Sequence, residues 1–193
     1  MSNDGKFGAI DKTGLEFIPT QYDEVIGFSP QQIQVRKGGK CGMMDLSGNL
    51  AIPIMYDYFA LPNRGTVAAG ISQKWGILDR TGKILLPLEY TNLNYIDKEA
   101  AIAVQKDEKW QALNLIDMKP LSDSKYDALN PFSEGIAGFK KGELWGFMDY
   151  TGKEIIAPIY QSIQGFYGGK CTVTLKGESI VINKQGITIT DKK

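Results

Sequence analysis

The spacing of the aromatic residues shows that this chain is an internal repeat. Its three tryptophans, Trp75, Trp110 and Trp145, are 35 residues apart. A tyrosine recurs with nearly the same period, and steps of 34, 34, 36 and 34 residues separate Tyr22, Tyr56, Tyr90, Tyr126 and Tyr160. Repeats of this length cannot bury their apolar faces alone, so they stack on their neighbours. Residues that recur in register are therefore expected to build the array, whose default role is to present a surface.

The repeats follow one another over nearly the whole chain. Five full repeats are expected at 5–38, 39–72, 73–107, 108–142 and 143–177, with a partial cap at 178–190. A chain of 193 residues is expected to form one repeat domain, 1–193, whose stability comes from the stacking of neighbouring repeats.

A turn motif, Asp-x-Thr/Ser-Gly, marks each repeat except the fourth. It occurs at 11–14, 45–48, 79–82 and 149–152, and 183–186 is a variant with Asn first. The Asp side chain can accept a hydrogen bond from an amide two residues on, and Gly tolerates positive φ. The motif therefore predicts a tight hairpin, with strands at 75–78 and 83–86 in the third repeat.

The remaining pattern predicts a third strand and a second turn in each repeat. Strands are expected at 101–104 and 172–175, followed by turns such as 37–40. Pro19, Pro53 and Pro87 share one slot and mark a strand end or an edge strand, because proline lacks a ladder donor. The 22 glycines and frequent prolines exclude a helical repeat.

The expected fold is all-β, with short antiparallel hairpins stacked in an open β-solenoid or superhelix. The alternative is a five-bladed β-propeller-like ring. Propeller blades usually have four strands, and these repeats predict three, which favours the open array.

Charge and composition exclude several functions. The 22 basic and 22 acidic residues balance, and only Arg36, Arg64 and Arg80 are arginines, so nucleic acid is not an expected partner. No apolar run approaches the roughly 20 residues of a membrane span, so membrane insertion is not expected. The N-terminus, 1–5, is not a signal peptide. The sequence as written therefore predicts a cytoplasmic protein, with export of a longer precursor as the alternative.

No catalytic, cofactor-binding or metal-binding residues are predicted, and the chain is not expected to be an enzyme. It has no histidine, which removes the commonest general base and metal ligand. Two cysteines, Cys41 and Cys171, cannot form a thiolate zinc site. The repeated acids are assigned to turn hydrogen bonds rather than to calcium, which needs six to eight converging oxygens. These acids are Asp11, Asp45, Asp79 and Asp149.

No ligand-binding site is assigned by the sequence, although two groups of residues are candidates. The slot of Trp75 holds Phe7, Cys41, Trp75, Trp110, Trp145 and Ser179, and packing between repeats is favoured over stacking on sugars or peptides. Residues that differ between repeats are better candidates, because the fold does not dictate them. These are Tyr58, Phe59, Arg64, Tyr150 and Tyr167.

The fourth repeat departs from the pattern. It has Gln111 in place of the usual glycine, Asn114 in place of Asp, and Asp117 in place of the turn glycine. Loss of the turn chemistry of the other repeats is therefore expected at 114–117. Two interpretations are drift in a tolerant repeat, and a bend or contact surface at this point.

Segments 74–83 and 144–153, which read KWGILDRTGK and LWGFMDYTGK, resemble the bacterial WG (also KWG) repeat. The resemblance covers residues 5 to 190. It implies a bacterial β-rich array of generally unassigned function, often part of surface-associated or multi-domain proteins, with no catalytic residues to carry over. The leading prediction is a non-catalytic scaffold for a protein or peptide partner. The alternative is a carbohydrate-binding module of the bacterial cell envelope, and an enzyme is the least supported class.

Overall fold

The computed structural model describes residues 2–3, 5–63, 65–97, 101–122 and 125–190. The chain divides into two compact units, Met1–Tyr90 and Thr91–Lys193, here called the N-terminal and the C-terminal unit. The single domain expected over 1–193 stays a prediction.

All regular secondary structure in the described residues is β-strand, which confirms the all-β prediction. The N-terminal unit contains β1 (Ser2–Asn3), β2 (Lys6–Ile10), β3 (Glu16–Tyr22), β4 (Glu24–Ser29), β5 (Gln32–Lys37), β6 (Lys40–Met44), β7 (Leu50–Tyr56), β8 (Tyr58–Asn63), β9 (Thr66–Ile71), β10 (Lys74–Asp79) and β11 (Ile84–Tyr90). The C-terminal unit contains β12 (Asn92–Asp97), β13 (Ala101–Lys106), β14 (Lys109–Asn114), β15 (Ala128–Leu129), β16 (Ile136–Lys141), β17 (Leu144–Asp149), β18 (Glu154–Tyr160), β19 (Ser162–Ile163), β20 (Lys170–Leu175) and β21 (Glu178–Asn183). In this described part of the chain, no helix has the length and apolar character that crossing a membrane requires.

The strands form small antiparallel sheets in which chain neighbours are hydrogen-bonded, as the predicted hairpins require. Sheet 1 contains β1–β3, sheet 2 contains β4–β7 and sheet 3 contains β8–β11. Sheet 4 contains β12–β14, sheet 5 contains β15–β18 and sheet 6 contains β19–β21. Each sheet from the second onward combines the last two strands of one repeat with the first strands of the next.

In the described residues, the number of strands differs from the prediction in every full repeat except the fourth, which has three. The third repeat contributes β10, β11, β12 and β13, which is four strands where three were predicted. The missed strands, such as β4, β8 and β12, lie at sheet edges, pair on one side only and share no repeated residue. Strand count therefore no longer separates an open array from a five-bladed ring, and that choice stays a prediction.

The predicted Asp-x-Thr/Ser-Gly turns are present. The Asp79 carboxylate accepts hydrogen bonds from the amides of Thr81 at 2.8 Å and Lys83 at 3.0 Å. The Thr81 hydroxyl also donates to it at 2.7 Å, and Gly82 adopts a φ of +88°. Corresponding carboxylate or amide bonds to the turn backbone occur at Asp11, Asp45, Asp149 and Asn183.

Each of these turns except the first packs on the preceding repeat. A side chain at Gly48 would collide with the carbonyl oxygen of Phe17, and one at Gly82 would lie 3.2 Å from that of Ala51. At Gly152 the corresponding contact is Leu121 O at 2.7 Å. The turn glycine is thus required both by its backbone conformation and by the closeness of the neighbouring repeat.

A second glycine directly follows Trp75 and the equivalent residues of other repeats, and a bulge in the adjacent strand requires it. In sheet 3, Trp75 pairs with Tyr90 and Ile77 with Leu86, so Gly76 alone faces residues 87–89. An added Cβ at Gly76 would lie 2.5 Å from Leu86 O and 2.8 Å from Pro87 C. Equivalent glycines, with Cβ contacts of 2.5 to 2.7 Å to a backbone oxygen, are Gly8, Gly42 and Gly146. The prolines of this slot lie in these bulged strands, at the edge of each sheet as predicted.

The fourth repeat has Gln111 in place of this glycine, and no bulged strand follows β14 in its described residues. Gln111 has a side chain where the bulge would approach, and its amide donates to Ser122 O at 3.2 Å. In the described residues 115–122 and 125–127, the isolated pairs Trp110–Tyr126 and Leu113–Pro120 replace that strand. The expected loss of turn chemistry holds only in part. The Asn114 side chain still accepts the amide of Ile116. The turn is one residue longer, Asn114 N donates to Lys119 O, and Met118 in place of a glycine takes the positive φ of 57°.

The core lies between successive sheets within each unit. One cluster joins Met43 and Tyr56 of sheet 2 to Val67 and Leu78 of sheet 3. Trp110 and Trp145 pack against clusters of the C-terminal unit, as predicted for these two residues. The slot tyrosines other than Tyr90 are buried. The hydroxyls of Tyr22 and Tyr126 meet the side chains of Gln21 and Ser122.

Candidate functional site

The structure separates the five candidate residues into different environments. Tyr58, at the start of β8, is 56% exposed. Phe59 is half-buried, with its ring 5.3 Å from that of Tyr56 beside the core. Tyr150 is 45% exposed and its ring stacks on Phe132 at 4.8 Å. Tyr167 is 89% exposed, and Arg64 lies outside the described residues.

Tyr58 belongs to a row of residues that crosses sheet 3. It pairs with Gly70 on β9, Gly70 pairs with Trp75 on β10, and Trp75 pairs with Tyr90 on β11. Residues directly opposite one another in antiparallel strands have side chains on the same face. Tyr58, Gly70 and Trp75 are here called the aromatic row.

Gly70 allows the two rings of the aromatic row to meet. Three indole atoms, Cε3, Cδ2 and Cζ3, lie 3.4 to 3.5 Å from the place where a Gly70 side chain would begin, so the indole covers this glycine. The Tyr58 ring lies beside the indole, with centroids 6.2 Å apart and planes inclined by 27°. Trp75 is half-buried, so part of the indole faces solvent. The result is a nearly continuous aromatic surface.

The positions of Tyr58 and Gly70 hold no aromatic residue in sheets 2, 4, 5 and 6. The equivalents of Tyr58 and Gly70 in sheet 2 are Glu24 and Arg36, which form an ion pair. In sheet 4, Asn92 donates to Gln105 at 2.6 Å, and in sheet 6 the hydroxyls of Ser162 and Thr174 are 2.7 Å apart. In sheet 5 the equivalent pair is Ala128 and Lys140. Because the equivalent residues differ from sheet to sheet, the repeat pattern does not require the aromatic row.

Asp57, which precedes the aromatic row, has a structural role that sequence reasoning missed. It forms an ion pair with Lys40 and accepts the amide of Ser72 at 2.7 Å. The hydrogen bond from Lys40, together with the Ser72 amide, holds the pKa of Asp57 below its usual value. Asp23 makes the same contacts with Lys6 and the amide of Gly38. The signal was an Asp directly after the slot tyrosine, at positions 23, 57 and 127.

The remaining reactive groups are held in structural positions. In the ranges of the chain that the structure describes, no three His, Cys, Asp or Glu side chains are grouped to hold a metal ion. Cys41 and Cys171 are buried free thiols, and burial raises the pKa of both. What the aromatic row offers chemically is a flat apolar surface for contact with a ligand.

These pKa shifts predict that stability falls at both extremes of pH. The Thr81 hydroxyl bond lowers the pKa of Asp79 below 3.8, so the stability that the ionised group confers is present above that pH and lost as pH falls through the folded-state pKa. Burial raises the pKa of Cys41 above 9.0, so its contribution is lost as pH rises past that value. With no histidine, the melting temperature should be flat between about pH 5 and 8.

Circular dichroism melts across this range check the prediction. Asp79→Asn is the matched control, because Asn183 holds the equivalent turn in the partial repeat through bonds from Gln185 and Ile187. This variant should fold at neutral pH and lose less stability in acid than the wild type. A melting temperature that drops between about pH 7 and 5 would contradict the assignment of the shifts.

Comparison with known proteins identifies the repeat. A family model described as WG containing repeat matches residues 7–41, 75–110, 116–145 and 145–178, which is more than half of the chain. The chain belongs to the WG containing repeat family. Most of the second WG repeat, 39–72, falls outside these segments, yet it has the same four strands, β6 to β9. A sequence comparison with curated proteins gives no match.

Solved structures show only distant similarity to this WG-repeat chain. Hsv2 of Kluyveromyces lactis has 10% identity and a TM-score of 0.45, covering 86% of this chain and 61% of that one. A eukaryotic initiation factor has 11% identity and a TM-score of 0.49, covering 83% and 51%. PorZ, a bacterial surface component of the type-IX secretion system of Porphyromonas gingivalis, has 13% identity and a TM-score of 0.42, covering 92% and 28%. The chain thus spans less than two thirds of each of these structures.

Proposed function

We propose that this WG-repeat chain is a non-catalytic scaffold that binds a protein or peptide partner. The observation that supports the proposal is that recurring and non-recurring residues have different structural roles. The residues that recur in register form turns, fit bulges or fill the core, as Asp79, Gly76 and Tyr56 do. Tyr58 and Tyr167, the most exposed aromatic residues among the side chains that the structure describes, are not dictated by the repeat.

Exposed tyrosines suit a protein interface because they combine apolar area with a hydroxyl that can hydrogen-bond. Tyrosine and tryptophan are enriched in interface cores and among the residues that dominate binding energy. The zero net charge of the chain gives no electrostatic attraction for nucleic acid, which is not a partner in this proposal. The repeated acids have turn and ion-pair roles, and the proposal includes no catalytic residue.

Capture of partners with tagged protein, from lysate and envelope fractions of the source organism, tests the proposal. The wild type should enrich a specific protein, and a variant with Tyr58, Tyr150 and Tyr167 changed to alanine should enrich less of it. A misfolded control, Gly82→Val with Gly152→Val, should not enrich it. Equal recovery by the wild type and by the misfolded control would contradict a folded interaction surface.

A carbohydrate-binding module of the bacterial cell envelope is the second candidate. It is favoured by the aromatic row, because a flat and partly exposed pair of rings is a surface on which a sugar can stack. Saturable binding of glycans that perturbs tryptophan signals is the expected result. A broad glycan panel that leaves those signals unchanged would remove this candidate.

A further inference from the structure

We infer that the aromatic row of sheet 3 binds a neutral pyranose ring, which stacks on Trp75 and Tyr58. The inference rests on the second candidate function and names its site and its ligand class. It is independent of a protein partner, so either can hold without the other.

The shape of the aromatic row fits one flat ring. The indole covers Gly70, and the Tyr58 ring continues its surface with a tilt of 27°. Aromatic faces carry a negative quadrupole, which attracts the weakly positive C–H groups on the face of a pyranose. The strands fix the backbone of both residues and the two rings contact each other, which limits the conformational freedom lost when a sugar binds.

The surroundings of the aromatic row favour an uncharged ligand that carries hydroxyl groups. The carboxylate beside Tyr58, that of Asp57, is already paired with Lys40 and the Ser72 amide. Ser72 and Gln73 are exposed in the turn that joins the strands of Gly70 and Trp75. Their φ angles of 50° and 63° are those of a tight two-residue hairpin turn. Their polar side chains are suited to hydrogen bonds with sugar hydroxyls.

The extent of the aromatic row favours a sugar over a protein at this place. The equivalent positions in sheet 2 are occupied by the ion pair of Glu24 and Arg36, so the row does not continue there. A stable protein interface needs on the order of 800 Å² from each partner, with aromatic anchors at its centre. Two rings supply far less than that, but they match the face of one or two pyranose units.

Gly70 provides a second way to test the site. Its equivalents in other sheets are Arg36, Gln105, Lys140 and Thr174, so a strand at this position accepts a side chain. Gly70→Thr should therefore fold, while its Cβ, 3.4 Å from the indole, and the larger atoms beyond it displace the ring of Trp75. This variant removes the flat surface without removing either aromatic residue.

The experiment monitors the three indole N–H signals of the ¹⁵N-labelled chain during titration with cellohexaose, chitohexaose and an octaproline peptide. A hexasaccharide should shift the Trp75 signal, which is assigned from the Trp75→Phe spectrum, with saturation in the millimolar range. Tyr58→Ala and Gly70→Thr should each weaken binding roughly tenfold. Tyr167→Ala, which removes an exposed tyrosine of the C-terminal unit, should bind as the wild type does.

Three results would overturn the inference. Hexasaccharide binding retained by both Tyr58→Ala and Gly70→Thr places the sugar elsewhere and leaves the carbohydrate-binding function standing. No shift with either hexasaccharide removes this sugar site, whereas the second candidate function is decided separately by the broad glycan panel and the protein-binding scaffold is unaffected. A shift of the Trp75 indole signal with octaproline but with neither hexasaccharide would show that the aromatic row binds a proline-rich peptide instead of a sugar.

Discussion

Replacement of Gly76 by alanine is expected to destabilise the N-terminal unit by about 3 kcal/mol, near the upper end for overpacked cores. The added Cβ would lie 2.5 Å from Leu86 O and 2.8 Å from Pro87 C. Both neighbours are backbone atoms of a bulged strand, so no side-chain rotation relieves the contact. Urea denaturation followed by circular dichroism measures the effect.

The matched control is Gly27→Ala, a glycine-to-alanine change in the same unit. Gly27 lies in β4, and an added Cβ there meets nothing within 4 Å. Its stability should stay within about 0.5 kcal/mol of the wild type. Equal losses in the two variants would show that the cost of Gly76→Ala does not come from the bulge.

The second large effect is expected for Gly48→Ala, at about 4 kcal/mol. Roughly 1 kcal/mol comes from placing a side chain at a φ of +82°. About 3 kcal/mol more comes from the collision of the new Cβ with the Phe17 carbonyl of the preceding repeat. The same denaturation experiment measures the loss.

Gly14→Ala separates these two terms. Gly14 occupies the same turn position in the first repeat, with a φ of +87°, but nothing lies within 4 Å of its added Cβ. It should lose only the roughly 1 kcal/mol of backbone strain. If Gly14→Ala and Gly48→Ala are equally unstable, the turn does not pack on the preceding repeat.

The sequence was sufficient to predict the parts of the fold that are formed by residues recurring in register. The turn of Asp79 and Gly82 recurs in register, and its hydrogen bonds are local, so its structure can be inferred from residue type. The bulge opposite Gly76 could not be predicted, because it depends on how β11 pairs with β10. Edge strands such as β8 were missed because their residues change from repeat to repeat.

The candidate site was predictable only in part. Tyr58 was selected because it departs from the repeat, and the structure places it in the aromatic row. Its partners could not be selected: Trp75 was assigned to packing, and Gly70 carries no signal in the sequence. Their association depends on the register of β8, β9 and β10, which pairs residues 58, 70 and 75 across three strands.

The central claim is that the second, third and fifth WG repeats are each fitted to the repeat before them through the turn glycine. Hydrogen exchange of Gly48→Ala tests this most directly. The amides of Phe17 and Ile18, in β3 of the preceding repeat, should exchange on the order of 100-fold faster than in the wild type. Gly14→Ala is the control, because its added Cβ contacts nothing within 4 Å, and it should leave the amides of β7 as protected as in the wild type. Faster exchange confined to residues 45–49 would contradict the claim, because the collision would then be absorbed within the turn itself.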